Sequence, residues 1–137
     1  MSRLWLLDTN ILSAIIKRPQ DAAAAKARAI AHETPAQLIT SVVVECELAV
    51  GAKRIASVPL EVKIRQLLQF IKPMPIGREV VAHYALVRSM LERSGTPIGP
   101  NDTLIAAHAL TLGATVVTDN EAEFSRVAGL QVENWLR

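Results

Sequence analysis

Near its N-terminus the chain reads Arg3-Leu4-Trp5-Leu6-Leu7-Asp8-Thr9-Asn10-Ile11-Leu12-Ser13. The run Arg3–Leu7 is almost entirely apolar, which is typical of a strand covered on both faces of a parallel sheet. A helix is predicted over Thr9–Lys17, with Asp8 or Thr9 available to cap its first turn. A strand that ends in an acidic residue and runs into a helix predicts a parallel α/β domain.

The rest of the chain continues this alternation of short apolar runs and longer helical patterns. Further strands are predicted at Gln37–Ser41, Thr115–Thr118 and Leu130–Trp135, and the prolines of Lys72–Ile76 indicate extended chain. Further helices are predicted at Asp21–His32, Glu45–Ala56, Pro59–Phe70, Arg78–Arg93 and Asp102–Leu112, with Asn101 as the cap of the last and Gly113 as its terminator. We therefore predict a single α/β domain over residues 1–137, with helices flanking a central, mostly parallel sheet.

Composition narrows the class of protein. The 137 residues are 50% hydrophobic and 20% charged, which is typical of one folded core and excludes a disordered chain. No apolar run reaches the roughly 18–20 residues of a membrane span, and Asp8 interrupts the run that a signal peptide would continue. We expect a cytoplasmic protein without a membrane segment.

Cys46 is the only cysteine, so neither an internal disulfide nor a thiolate metal cage can form. It lies among Val43, Val44 and Leu48, and we predict that it is a small buried hydrophobic residue. The formal net charge of +2 indicates at most a modest attraction to polyanions.

Four acidic residues fall at corresponding ends of the predicted elements. Asp8 ends the first strand, Asp119 follows a late strand, Asp102 opens a late helix, and Glu47 lies on the helix after the second strand. Functional groups gather at the carboxyl ends of parallel strands, so these four could meet at one edge of the sheet. Each also has a simpler interpretation, since Asp8 and Asp102 could only cap helices and Asp119 could belong to a turn.

Glu45 and Glu47 cannot both face one site, because residues two apart on a helix differ by about 200° in direction. Glu47 shares its face with Val43, Val44 and Gly51, an inward-facing set, and we therefore choose Glu47.

Clustered carboxylates repel one another, so such a site must raise some pKa values or bind cations. Oxygen ligands favour Mg²⁺ or Mn²⁺ over zinc, and we predict surface or packing roles for His32, His83 and His108. A hard divalent ion held by carboxylates is suited to phosphodiester hydrolysis.

Several stretches resemble the PIN-domain family. Leu6–Ser13 is similar to its opening motif, Glu47–Gly51 to the second, Pro97–Ala107 to the third, and Val116–Asn120 with Glu123-Phe124 to the fourth. The end of the chain, Val132-Glu133-Asn134-Trp135, resembles that of VapC toxins within the family.

The resemblance implies a PIN-like three-layer fold and a Mg²⁺-dependent endoribonuclease, with Mn²⁺ as an alternative ion. It implies a toxin that is silenced by a cognate antitoxin, acts on RNA and forms a homodimer. Asp8 and Asp102 would be the principal metal ligands, and Glu47 and Asp119 would complete the catalytic pocket. Asn10, Thr118 and Asn120 would orient these carboxylates. The first helix and the stretch Ala22–Ile30 are candidates for the antitoxin groove.

Three alternatives remain open from the sequence. The chain could be a PIN-like module that binds RNA or a partner without cutting, although the intact set of acids argues against this. A phosphatase or receiver domain would use a strand-end aspartate as nucleophile, but position 10 is Asn where the phosphatase pattern needs a second Asp. A DNA-directed nuclease is the third.

Overall fold

The computed structural model describes residues 3–34 and 37–137, and its strands form one parallel sheet. The five strands are β1 (Leu4–Leu7), β2 (Leu38–Ser41), β3 (Lys72–Met74), β4 (Ala114–Val117) and β5 (Val132–Glu133). They lie in the order β3-β2-β1-β4-β5, and every pairing is parallel. The predicted α/β fold with a parallel sheet is confirmed.

In these two ranges seven helices flank the sheet. They are α1 (Thr9–Lys17), α2 (Ala22–Glu33), α3 (Val42–Arg54), α4 (Val58–Leu68), α5 (Val80–Arg93), α6 (Pro100–Leu112) and α7 (Glu121–Phe124). None of them combines the length and apolar character that crossing a bilayer would need.

The strand order places the carboxyl ends of β1 and β4 side by side at one edge of the sheet. From β1 the chain proceeds outward through β2 to β3, and then returns to the other side of β1 to form β4. The order of the strands reverses at this point, which is where open parallel sheets bind ligands. Leu7 pairs with Val117, so the residues that follow the two strands emerge side by side.

The core lies around these two central strands. Leu6, Leu7, Val116 and Val117 have no exposed surface, and all four residues of β2 are buried. Strands that are covered on both faces explain the continuous apolar runs in the sequence.

Two helices begin two or three residues earlier than the sequence predicts. Helix α3 begins at Val42 rather than Glu45, because the Ser41 hydroxyl accepts a hydrogen bond of 3.1 Å from the Val43 N–H and so caps the helix directly after β2. Helix α6 begins at Pro100, so Asn101 lies in its first turn and is not the cap; Gly99 holds that position. Proline suits the first helical position because its missing N–H would have no partner there.

The prediction that Cys46 is buried is wrong, because it lies on the outer face of α3 and is exposed. The short helix α7 was not predicted from the sequence. Gly113 ends α6 as predicted, in the left-handed region with φ of 66°.

Candidate metal centre

Asp8 lies at the carboxyl end of β1 and is 4% exposed. It caps α1, with Oδ1 accepting from the Thr9 N–H at 2.8 Å, and Oδ2 accepts from the Thr118 hydroxyl at 2.8 Å. Its own N–H donates to the Val117 carbonyl at 2.9 Å, which ties it to the end of β4. Both carboxylate oxygens are thereby fixed in direction.

Thr118 follows β4, is fully buried, and joins several parts of the site. Its hydroxyl donates to Asp8 and accepts from the Asn120 N–H at 3.0 Å and from Asn10 Nδ2 at 3.5 Å. Asn10 Oδ1 in turn accepts from the Asp119 N–H at 2.9 Å. The structure therefore places Asn10, Thr118 and Asn120 next to the acids, and their role in orienting metal ligands stays a prediction.

Glu47 is half-buried on α3 and reaches the same edge from the other side of β1. Its Oε1 accepts from the Thr9 hydroxyl at 2.6 Å. Glu45, by contrast, lines a separate cavity with Lys53 and Glu61 on α3 and α4. The choice of Glu47 over Glu45 agrees with this geometry.

Asp102 is the acid of the site whose pKa is raised most. Burial, followed by the negative charges of Asp8 and Glu123, a hydrogen bond with Glu123 and the charge of Glu47, raises its pKa from 3.8 to about 7. Burial also raises the pKa of Asp8, with a smaller contribution from Glu47. Asp8, Glu47 and Asp102 therefore share one electrostatic environment.

Glu123 is the acid that the sequence analysis did not place in the pocket. It lies on α7, accepts from Asn120 Nδ2 at 2.9 Å and hydrogen-bonds with Asp102. The available signal was the spacing Asn120-Glu121-Ala122-Glu123, in which a helix-capping residue is followed three positions later by glutamate.

The Asp119 carboxylate contacts the C-terminal segment. Its Oδ1 accepts from Asn134 Nδ2 at 3.1 Å and lies 3.6 Å from Arg137 Nε, and its side chain is 43% exposed. Asp119 does not contribute to the raised pKa values of Asp8 and Asp102. Its part in a metal site therefore stays a prediction.

The donor chemistry of the pocket suits a hard divalent ion. Three or four carboxylates repel one another here, and a cation would remove that repulsion. In the part of the chain that the structure describes, no three acidic, histidine or cysteine side chains are arranged to hold a metal ion by themselves. Mg²⁺ does not need such a cage, because it usually binds one or two carboxylates and completes its shell with water and phosphate oxygens.

Comparison with known proteins agrees with the fold and the motifs. A sequence model described as the PIN domain matches residues 5–130. Ribonuclease VapC1 of Haemophilus influenzae is 30% identical over 136 residues, which cover 98% of this chain and 99% of that protein. The chain belongs to the PIN-domain family of VapC proteins. The family recognised in the sequence is thus confirmed.

Other VapC proteins match over the same length. The tRNA(fMet)-specific endonuclease VapC of Shigella flexneri is 32% identical over 133 residues, covering 96% of this chain and 97% of that protein. Among solved structures, VapBC2 from Rickettsia felis bound to a DNA fragment from their promoter gives a TM-score of 0.87 at 30% identity, covering 96% of this chain and 98% of that chain. VapBC from Salmonella typhimurium bound to DNA gives a TM-score of 0.85 at 28% identity, and the match covers 98% of this chain and 99% of that chain.

Proposed function

We propose that this protein is a Mg²⁺-dependent endoribonuclease, with Mn²⁺ as a substitute ion, and the toxin of a toxin–antitoxin pair in the cytoplasm. The similar VapC proteins named as a ribonuclease and a tRNA-specific endonuclease support the reaction class. The single observation that carries the metal dependence is the crowding of Asp8, Glu47 and Glu123 around Asp102, where burial and then these charges raise the pKa of Asp102 to about 7. Such crowding is costly for the free protein and becomes favourable when a cation is bound.

Asp8 and Asp102 are the proposed principal ligands, and Glu47 completes the pocket together with Glu123 or Asp119. The bound ion would polarise the phosphoryl group and activate a water for hydrolysis of the phosphodiester bond. Asp8 is suited to its role because two donors fix its oxygens and burial excludes competing water. Asp102 is more accessible than Asp8 and can reach an ion that also binds the RNA phosphate.

The proposed antitoxin site is the groove between α1, α3 and α4. This groove has a volume of about 260 Å³, and its apolar lining includes Ile16, Leu48, Ile55 and Leu60. It reaches Glu47 at one end, so a bound segment would lie beside the catalytic pocket. Titration with segments of the protein encoded next to this chain, in wild type and in Ile55→Glu, would test this assignment.

The stretch Ala22–Ile30 is a weaker candidate for the antitoxin groove than the sequence suggests. Ala23, Ala24 and Ala27 are buried against the core, so this face of α2 is already covered within the chain. The first helix, α1, remains part of the proposed antitoxin site, because Ile16 lines the groove.

A homodimer is also proposed, through α5. Leu86 and Met90 lie one turn apart on this helix and are 56% and 41% exposed. Contiguous exposed apolar surface marks contact sites in proteins, and these two side chains form the centre of the proposed surface. Light scattering of wild type and Leu86→Glu would test the dimer, and we expect the variant to be monomeric.

The reaction is tested by incubating single-stranded RNA and DNA of matched sequence with the protein, in Mg²⁺ and after chelation. We expect RNA cleavage that requires Mg²⁺ and is abolished in Asp8→Asn and Asp102→Asn. Asp21→Asn is the matched control, because Asp21 is an exposed residue before α2 and contacts Arg18. A comparison of Asp119→Asn with Glu123→Gln would identify the fourth acid. Cleavage that survives chelation, or RNA binding without cleavage, would contradict the proposal.

A further inference from the structure

We propose that Thr9 is a positioning residue that orients the Glu47 carboxylate toward the divalent ion. This inference rests on the proposed metal-dependent nuclease function and adds a neutral residue to it. The Thr9 hydroxyl donates to Glu47 Oε1 at 2.6 Å, and the Thr9 N–H donates to Asp8 Oδ1 at 2.8 Å. A single residue therefore holds two acids that come from different elements of the fold.

The cap of α1 explains why the Thr9 hydroxyl is available. Asp8 occupies the cap position, so Thr9 is the first residue of the helix and its side chain is not needed as a cap. A threonine hydroxyl within a helix usually bonds to a carbonyl of the preceding turn, but no preceding turn exists at this position. The hydroxyl instead bonds to α3, at a residue 38 positions later.

Glu47 needs such a donor because its neighbours repel it. Its charge acts on both Asp8 and Asp102, and its half-buried side chain has three rotatable torsions with which to turn away. A hydroxyl donates one proton, so the bond engages one carboxylate oxygen and leaves the second for a ligand. The bond thus holds the Glu47 carboxylate in the pocket.

A positioning role and a purely structural role differ in what they change. Thr9 and Glu47 are both half-buried, so water can replace the lost bond and the melting temperature should fall by only a few degrees. Loss of a group that orients a metal ligand typically weakens metal affinity by about 10- to 100-fold.

The test measures Mn²⁺ binding to the full chain by electron paramagnetic resonance, together with melting of the metal-free protein. We expect Thr9→Val to weaken Mn²⁺ binding about 10-fold or more and to melt close to the wild type. Thr9→Ser keeps the hydroxyl and should bind within about threefold of the wild type. Ser13→Ala is the matched control, because Ser13 lies one turn further along α1 and is likewise half-buried. Thr9→Ala replaces Thr9→Val if the valine variant does not fold.

A double-mutant comparison makes the assignment specific. In a Glu47→Gln background, Thr9→Val should cause no further loss of Mn²⁺ affinity, because both changes remove the same interaction. In RNA cleavage, Thr9→Val should lower kcat with little change in KM.

Two results would overturn the inference, and they can be told apart. If the wild type binds Mn²⁺ and cuts RNA while Thr9→Val binds Mn²⁺ equally well, the positioning role of Thr9 is wrong and the proposed function stands. If the wild type neither binds Mn²⁺ nor cuts RNA, the proposed function fails and the role of Thr9 fails with it.

Discussion

The Asp102→Asn variant should be more stable than the wild type when no metal is present. Asp102 carries a negative charge next to the carboxylates of Asp8, Glu123 and Glu47 once the pH exceeds its raised pKa. Asparagine keeps the shape of the side chain and cannot ionise, so it removes both the cost of burying a charge and the repulsion. The substitution that abolishes the proposed activity should therefore stabilise the metal-free fold.

The sign and size follow from the pKa. In the folded protein the Asp102 carboxyl keeps its proton up to about pH 7, whereas the unfolded chain releases it near 3.8. The folded state therefore binds more protons between these values, so its stability decreases as the pH rises through this window and remains lowered above it. The rise in the pKa of Asp102 from 3.8 to about 7 corresponds to about 4 kcal/mol of stability, at about 1.4 kcal/mol for each pKa unit. Because the side chain is half-exposed, solvent screening reduces the expected gain to about 1–2 kcal/mol.

The assay is thermal unfolding of both proteins in a chelator, near pH 4 and near pH 8. For a chain of this length the gain corresponds to about 3–6 °C near pH 8, and most of it should disappear near pH 4. Saturating Mg²⁺ should then raise the melting temperature of the wild type more than that of Asp102→Asn. Asp21→Asn, at an exposed cap position outside the cluster, should show neither effect. A variant that melts below the wild type near pH 8, or a gain that is equal at both pH values, would refute the reasoning.

Three further predictions concern the elements that build the pocket. Glu123→Gln removes one of the negative charges that raise the pKa of Asp102. The midpoint of the Asp102 titration, followed by carboxyl ¹³C NMR, should therefore fall below 7. An unchanged midpoint would place Glu123 outside the cluster. Ser41→Ala removes the cap of α3 and the hydrogen-bond partner of His108 Nδ1 at 2.9 Å. It should lower the free energy of unfolding in urea by about 1–3 kcal/mol. Ser57→Ala removes only the cap of α4, so it is the control and should lower that free energy by less. Phe124→Ala empties a fully buried position on α7 and should cost about 3–5 kcal/mol in the same measurement, whereas a loss below about 1 kcal/mol would contradict the packing seen here.

Local features of the sequence determined several strands and helices of this protein. The apolar run before Asp8, the cap of α1 and the glycine after α6 depend on nearest neighbours along the chain, so β1, α1 and the end of α6 could be predicted. Helical periodicity and the apolar neighbours Val43 and Val44 were enough to choose Glu47 over Glu45, because that choice depends only on which face of one helix each residue occupies.

Tertiary structure decided the remaining features of the site. The order of the strands and the pairing of Leu7 with Val117 bring Asp8 to Thr118, which lies 110 residues further along the chain. Contacts between elements also decide that Thr9 bonds to Glu47 and that Glu123, rather than Asp119, acts on Asp102. The raised pKa of Asp102 depends on burial and on charges from three other segments. The direction of a side chain within one helix can be predicted locally, but the distance between groups on different elements is set only when the elements pack.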